Sequence, residues 1–379
     1  MAELSAPYDR LERRSADERA ADLARALPEQ ITRAAELAGY RESLSGVVAG
    51  RITTREALAG LPVLRKSALG TAQKAAPPFG GFAARAPGEF RHLFQSPGPI
   101  YEPGNQAGDW WRVGRFLHAC GIGNGDIVQN CFSYHLTPAG MIFESGARAV
   151  GAAVIPAGTG QTELQVQAAA HLGATAYAGT PDYLKVILDK ADEMGVSLAI
   201  TRAAVGGGAL FPALRQAYAD RGITCLQNYA TADLGNVAYE SPAMEGLIVD
   251  EGVIVEIVTP GTGDPVAEGE VGEVLVTTLN PDYPLIRLAT GDLSAVMPGQ
   301  SPCGRTNMRI KGWMGRADQT AKVKGMFVRP EQVAALVAAC EGVDRARVLI
   351  DRENDSDAMI VRLETNSTDA TFFEQAILD

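Results

Sequence analysis

From Asp126 onward, apolar and polar positions fall into short alternating blocks. IVQNCFSY (127–134) reads as a strand, MIFESGARAVG (141–151) as a helix with apolar residues spaced by three and four, and AAVIPAG (152–158) as a strand. The alternation continues with helix TELQVQAAAHLG (162–173), strand ATAYAG (174–179) and helix DYLKVILDKADEMG (182–195). A strand then ends in AAVGGG (203–208), followed by helix FPALRQAYADRG (211–222) and strand ITCLQNYA (223–230). Strands alternating with helices of this length predict a parallel α/β sheet. Ligands of such sheets sit at the carboxyl ends of the strands. That rim gathers Ser133-Tyr134-His135, Gly206-Gly207-Gly208 and the segment from Tyr229 to Asp233.

The flanks carry other patterns. Residues 8 to 75 read as helical, with Ser15/Glu18 and Thr53/Glu56 each spaced as a capping box. Between about 76 and 105, Pro77-Pro78, Gly80-Gly81, Ser96-Pro97-Gly98-Pro99 and Pro103-Gly104 forbid a long element. After Glu245, LIVD, VIVEIVTPGTGDP and GEVGEVLVTTL are short apolar runs between Gly/Pro turns, which predicts antiparallel β and a small barrel-like subdomain. A last unit, AKVKGMFV, PEQVAALVAACEG and RARVLIDR, reads as strand–helix–strand. The expected organisation is a large domain over 1–314 (helical 1–75, α/β core about 105–240, β-rich 245–300) and a small α+β domain over 315–379.

Composition narrows the class. With 379 residues the chain exceeds one domain, and no apolar run reaches membrane-spanning length. The charged N-terminus has no signal-peptide apolar core, so a cytoplasmic location is expected. A net charge of −11 argues against a nucleic-acid partner, though a nucleotide needs only a local cluster of donors. Five scattered cysteines, never in a C-x-x-C pair, read as reduced thiols, and four separated histidines give a metal centre little to build on.

The candidate chemistry lies between Tyr283 and Gly325. Thr290-Gly291-Asp292 closes an apolar run, and Gly315-Arg316-x-Asp318 opens a lysine-bearing strand. This pairing at this separation resembles the adenylate-forming (acyl-CoA ligase) superfamily, and its wording is most similar to the phenylacetate-CoA ligase branch. The resemblance runs from Tyr8-Asp9-Arg10-Leu11-Glu12 to Pro330-Glu331-Gln332-Val333. It implies ATP-dependent activation of a carboxylate as acyl-AMP, followed by transfer to CoA, in a large α/β domain with a small mobile C-terminal domain. By that resemblance Asp292 accepts the ribose hydroxyls, Arg316 contacts ribose or phosphate, Asp318 is the hinge and Gly325 lets the CoA arm pass. Tyr229-Ala230-Thr231-Ala232-Asp233 matches a motif whose aromatic ring stacks on adenine and whose acid helps hold Mg²⁺. Gly206-Gly207-Gly208 matches a turn beside the adenine. A core tyrosine and a flexible turn are the competing readings of Tyr229 and the glycines. Tyr134, His135, Ala139 and Gly140 match the acid-pocket segment, with His135 either reading a ring substituent or capping the next helix. The implied acid is a small aromatic one, such as phenylacetate or a hydroxy- or aminobenzoate like hydroxyanthranilate, and the implied assembly a homodimer.

Three departures stand beside the resemblance. Where a Ser/Thr-rich phosphate loop with a lysine is expected, the chain has Leu93-Phe94-Gln95-Ser96-Pro97-Gly98-Pro99, whose prolines lack amide donors. Pyrophosphate must then be held otherwise. The family's C-terminal lysine does not occur before Asp379, so the last unit is expected to be partial. At the positions of a structural zinc site stand Ser241, Leu247, Ser301 and Cys303, so no zinc is expected. Transfer of the acyl group to an amine, hydroxyl or carrier-protein thiol, and a non-catalytic binder of nucleotide or acid, are the alternative functions.

Overall fold

The computed structural model describes residues 6–317, 321–323, 326–328, 330–340, 342–353 and 356–365. The chain divides into two compact units: residues 1–290 with 295–312, and residues 291–294 with 313–379.

The first unit opens with helix Ala16–Glu36. Ser15 and Glu18 form the expected capping box, each satisfying an amide of the other. Leu27, Ile31 and Ala34, three to four residues apart, make one fully buried stripe. Beyond this helix the segment is less helical than its composition suggests. Short turns at Ala38–Tyr40 and Ala49–Arg51, helices Arg55–Ala59 and Lys66–Ala75, and a two-residue strand Leu64–Arg65 share the space. The cap of Arg55–Ala59 is Thr54, which accepts from Ala57 N, and not Thr53; the box is out of register by one residue. Between 76 and 105 the chain forms an antiparallel hairpin, His92–Ser96 with Ile100–Gly104, turning at Pro97-Gly98-Pro99.

The α/β core follows the periodicity. Strands Ala153–Ile155, Ile127–Asn130, Ala176–Gly179, Arg202–Val205 and Thr224–Thr231 lie side by side in that order and parallel. The β-rich part is not a separate barrel. Residues 224–227 pair parallel with Arg202–Val205, while 228–231 of the same strand pair antiparallel with Gly235–Tyr239. Through that eight-residue strand the sheet runs on into Leu247–Val249, Arg309–Ile310, Leu288–Met297, Val271–Thr278 and Val253–Val258. Val253–Val258 is buried at every position. Gln30 of the first helix donates to Thr278 O and Asn280 O, both at 2.8 Å, tying helix to sheet.

The second unit departs from the strand–helix–strand expectation. AKVKGMFV is two strands, Ala321–Val323 and Met326–Val328, paired antiparallel. Helix Pro330–Ala339 follows, then a long hairpin, Val343–Glu353 with Ser356–Thr365. Cys340 and Val343 form its small buried core against Val337 and Leu363.

Candidate active site

Parallel strands deliver their carboxyl ends to one edge, and the first unit's candidate residues lie there, on the following loops, at the end of strand Thr224–Thr231 or in the first turn of helix Ala139–Ala149. Gly206, Gly207 and Gly208 follow Arg202–Val205. Gly207 takes a left-handed φ of +70°, and a side chain on Gly206 would collide with Asn228 Oδ1. The glycine run therefore serves a close approach within the protein as well as a turn. Tyr229 is 9% exposed and joins a buried cluster with Leu234 and Val237. The ladder slips register between Tyr229 and Ala230, a bulge of the kind that re-aims side chains next to sites.

Tyr134 folds back over the helix that follows it. A side-chain carbon on Gly140 would lie 2.7 Å from the Tyr134 ring, so the space beside Gly140 is filled from within. Asn130 Nδ2 donates to Tyr134 Oη at 2.8 Å and to Gly140 O at 2.9 Å. Ala139 is half-buried at the start of helix Ala139–Ala149, and His135 is exposed. That helix has no side-chain cap, so His135 does not cap it.

Asp233 sits in the tight turn after Tyr229, where Thr231 Oγ1 accepts from Leu234 N at 3.2 Å. It is 8% exposed, and its Oδ2 lies 2.8 Å from Lys66 Nζ. Its Oδ1 has no hydrogen-bond partner among the described residues. Beside it stands Glu102, from the Ile100–Gly104 strand, 1% exposed. Ser96 donates its hydroxyl to Glu102 Oε1, while Oε2 has no hydrogen-bond partner among the described residues. Burial first, and the Asp233 charge second, push the Glu102 carboxyl up to about 8. Sequence reasoning missed both Lys66 and Glu102. Their partners lie far along the chain, and neither belongs to a motif.

The hairpin itself offers little to an anion. Pro97 and Pro99 have no N–H, Gln95 N donates to Leu136 O, and Tyr101 N donates to Gln73 Oε1 at 2.8 Å. The Ser96 hydroxyl is spent on Glu102. For Mg²⁺ the protein offers few oxygens of its own. Asp233 already faces an ammonium and Glu102 is pushed up to about 8, so among the described residues Asp233 is the one carboxylate that would join phosphate oxygens in holding Mg²⁺.

In the second unit, the two motif pieces meet. Asp292 Oδ1 accepts from Arg316 Nη1 and from Trp313 Nε1, both at 3.1 Å. The backbones of Asp292 and Arg316 also bridge antiparallel. Gly291, at φ +76°, lies under the guanidinium, where a side-chain carbon would come within 2.6 Å of Arg316 Nη2. Trp313, 56% exposed, is a further residue the sequence did not single out. Asp318 and Gly325 lie outside the described residues.

At the zinc-equivalent positions, Ser301 Oγ is 3.0 Å from Cys303 Sγ, and Arg305 Nη1 is 3.5 Å away. Burial raises this thiol, but hydrogen bonds from Ser241, Ser301 and Arg305 outweigh it and hold Cys303 below the usual thiol range. Arg305 in turn donates to Glu12 Oε1 at 2.6 Å.

No protein-family model matches the chain. It is 30% identical over 264 residues to a phenylacetate-coenzyme A ligase of Thermus thermophilus, covering 67% of this chain and 59% of that one. It is 30% identical over 275 residues to that of Escherichia coli, covering 68% and 61%. The chain thus spans about three-fifths of the length of these relatives. Among solved structures, an open 2-hydroxyisobutyryl-CoA ligase in complex with its acyl-AMP and CoA superposes with a TM-score of 0.86 at 23% identity, over 98% of this chain and 87% of that one. At that identity the likeness is one of fold. Sheet order, motif pairing and relatives agree: the chain belongs to the adenylate-forming superfamily. Within it, the chain stands on the phenylacetate-CoA ligase-like branch.

Proposed function

We propose that the chain is an acid-CoA ligase handling a small aromatic carboxylate, phenylacetate or a hydroxy- or aminobenzoate, as its acyl-adenylate. In the first half-reaction a carboxylate oxygen attacks the α-phosphorus of ATP and pyrophosphate leaves. In the second, the CoA sulfur attacks the acyl carbon, the bond to the phosphate oxygen breaks, AMP leaves and the thiol proton passes to solvent. The observation that supports this reading best is the Asp292 carboxylate, fixed by Arg316 and Trp313 yet acceptor-rich, as binding of ribose hydroxyls requires. Tyr229 is assigned to adenine, with Ala230 and Gly206–Gly208 permitting close approach. Arg316 is assigned to ribose or phosphate, Tyr134, His135 and Ala139 to the acid, Asp318 to the hinge and Gly325 to the CoA arm. A cytoplasmic homodimer is the setting this reading implies. A non-catalytic binder is the second reading, favoured by the donor-poor hairpin.

The test supplies the full-length protein with synthetic phenylacetyl-AMP and CoA, and separately with aryl acids, ATP and Mg²⁺. Thioester and AMP from the adenylate arm are expected; neither product in either arm would leave the binder. Asp292→Ala should weaken adenylate binding at least about tenfold, the loss of charge-assisted hydrogen bonds to two hydroxyls. Unchanged affinity would refute the ribose assignment.

A further inference from the structure

We propose that the groove between helix Ala16–Glu36 and the edge of the sheet is a second ligand site, in which Arg55 takes the carboxylate of an apolar monocarboxylic acid. None of the residues around this groove belongs to the candidate active site, so the proposal stands apart from the adenylate reading.

The groove is a cavity of about 830 Å³, a size usual for small-molecule sites. Three arginines line it, and two are already matched by acids. Arg14 holds Asp22 at 2.6 Å and Glu251 at 2.5 Å; Arg19 holds the same Glu251 and donates to Thr306 Oγ1 at 3.0 Å. Arg55 differs. It is half-buried, and among the described residues it enters no ion pair. Its Nη1 donates to Val255 O at 3.0 Å, on the last strand of the sheet. Covering that edge uses one of the five N–H donors of a guanidinium. The carboxylates that act on Arg55 are engaged elsewhere. Glu256 pairs with Arg287 at 3.0 Å, and Glu56 bonds back to its own amide and to Thr54. Burial outweighs both and lowers Arg55 from the usual arginine range. A desolvated charge without a counter-ion is costly, and an anion arriving from solvent relieves that cost. The rest of the wall selects the anion's body. Ala20, Leu23 and Ala24 share one helix face, opposite Leu279 and Met308, so the ligand meets methyl and methylene groups and finds width above the alanines. One planar fork suits one carboxylate. A phosphate dianion would want more donors than Arg14 and Arg19, already matched, can give.

Calorimetric titration of the full-length protein with octanoate, and with the neutral octanamide, tests this. Octanoate should bind at least about tenfold more tightly than octanamide, the worth of a charge-assisted pair, and should raise the thermal midpoint. Arg55→Met keeps an apolar stem and removes the fork. It should lose that preference, with octanamide binding about as before. Ala20→Phe, on an exposed position of the helix, narrows the groove and should weaken both ligands severalfold. Phenylacetyl-AMP, titrated in parallel, should bind both variants as it binds the wild type. Octanoate that fails to bind the wild type, or binds Arg55→Met equally well, would overturn the second site. Loss of phenylacetyl-AMP affinity in step with that of octanoate would place octanoate in the acid pocket and overturn it too. Should Arg55→Met not fold, Ala20→Phe decides, since unchanged octanoate affinity there contradicts the groove. Failure of phenylacetyl-AMP to bind any of the three proteins would strike the adenylate reading and leave this site standing.

Discussion

Glu102 holds its proton where the unfolded chain would not, and the sign of its effect on stability follows. Its folded value is pushed up to about 8, against about 4.3 for a free glutamate. Between those values the native state binds the extra proton, so unfolding releases it and becomes easier as pH rises. The contribution is absent below about pH 4 and complete above about pH 8. Glu102→Gln should therefore flatten the decline in denaturation midpoint between pH 5 and 8, measured in EDTA. A parallel decline in both proteins would show that Glu102 ionises normally. Little of this residue's setting was legible. Glu102 reads as a solvated glutamate in a Gly/Pro-rich stretch, and only the fold brings it to Asp233. Glu12 hides similarly: its 1% exposure and its bonds from Arg305 and Tyr239 join residues more than two hundred positions away.

At the scale of elements, local signals succeeded where one turn or one stripe decides the structure. Ser15 with Glu18, and the stripe Leu27, Ile31, Ala34, needed no long-range information. They failed where pairing decides. Ser356–Thr365 is a ten-residue strand that exists because Val343–Glu353 pairs with it along almost its whole length. The Thr-Gly-Asp motif, inside strand Leu288–Met297, lies between these cases, since the motif was readable but the reason for its glycine was not. Gly291→Ala adds a left-handed backbone cost of about 1–2 kcal/mol and pushes on Arg316. Gly261→Ala, at φ +91° with nothing within 4 Å, adds the backbone cost alone. Both should lower the unfolding midpoint, but only Gly291→Ala should weaken adenylate binding, by severalfold. Equal affinities in the two variants would show that Arg316 does not need its place over Gly291.

For the whole molecule, alternation of strand and helix fixed the class, because the inner parallel strands Ile127–Asn130, Ala176–Gly179 and Arg202–Val205 are largely buried and the connecting helices keep an apolar face. The continuity of the sheet was hidden, because one strand, Thr224–Thr231, is parallel to one neighbour and antiparallel to the next. The anionic excess acts at this scale as well. A net charge of −11 sets like charges against one another across the folded surface, a repulsion that salt screens. Exposed pairs such as Lys185–Asp189 and Arg33–Glu29 lose strength in salt but contribute little to begin with. Pairs inside the protein, Arg305–Glu12 and Arg287–Glu256, are shielded from it. Raising ionic strength from about 0.01 to 0.15 M, where the screening length shortens from about 30 to 8 Å, should therefore raise the thermal midpoint by a degree or more. A midpoint that falls instead would mean that attractive pairs, and not the net excess, dominate the long-range electrostatics of this fold.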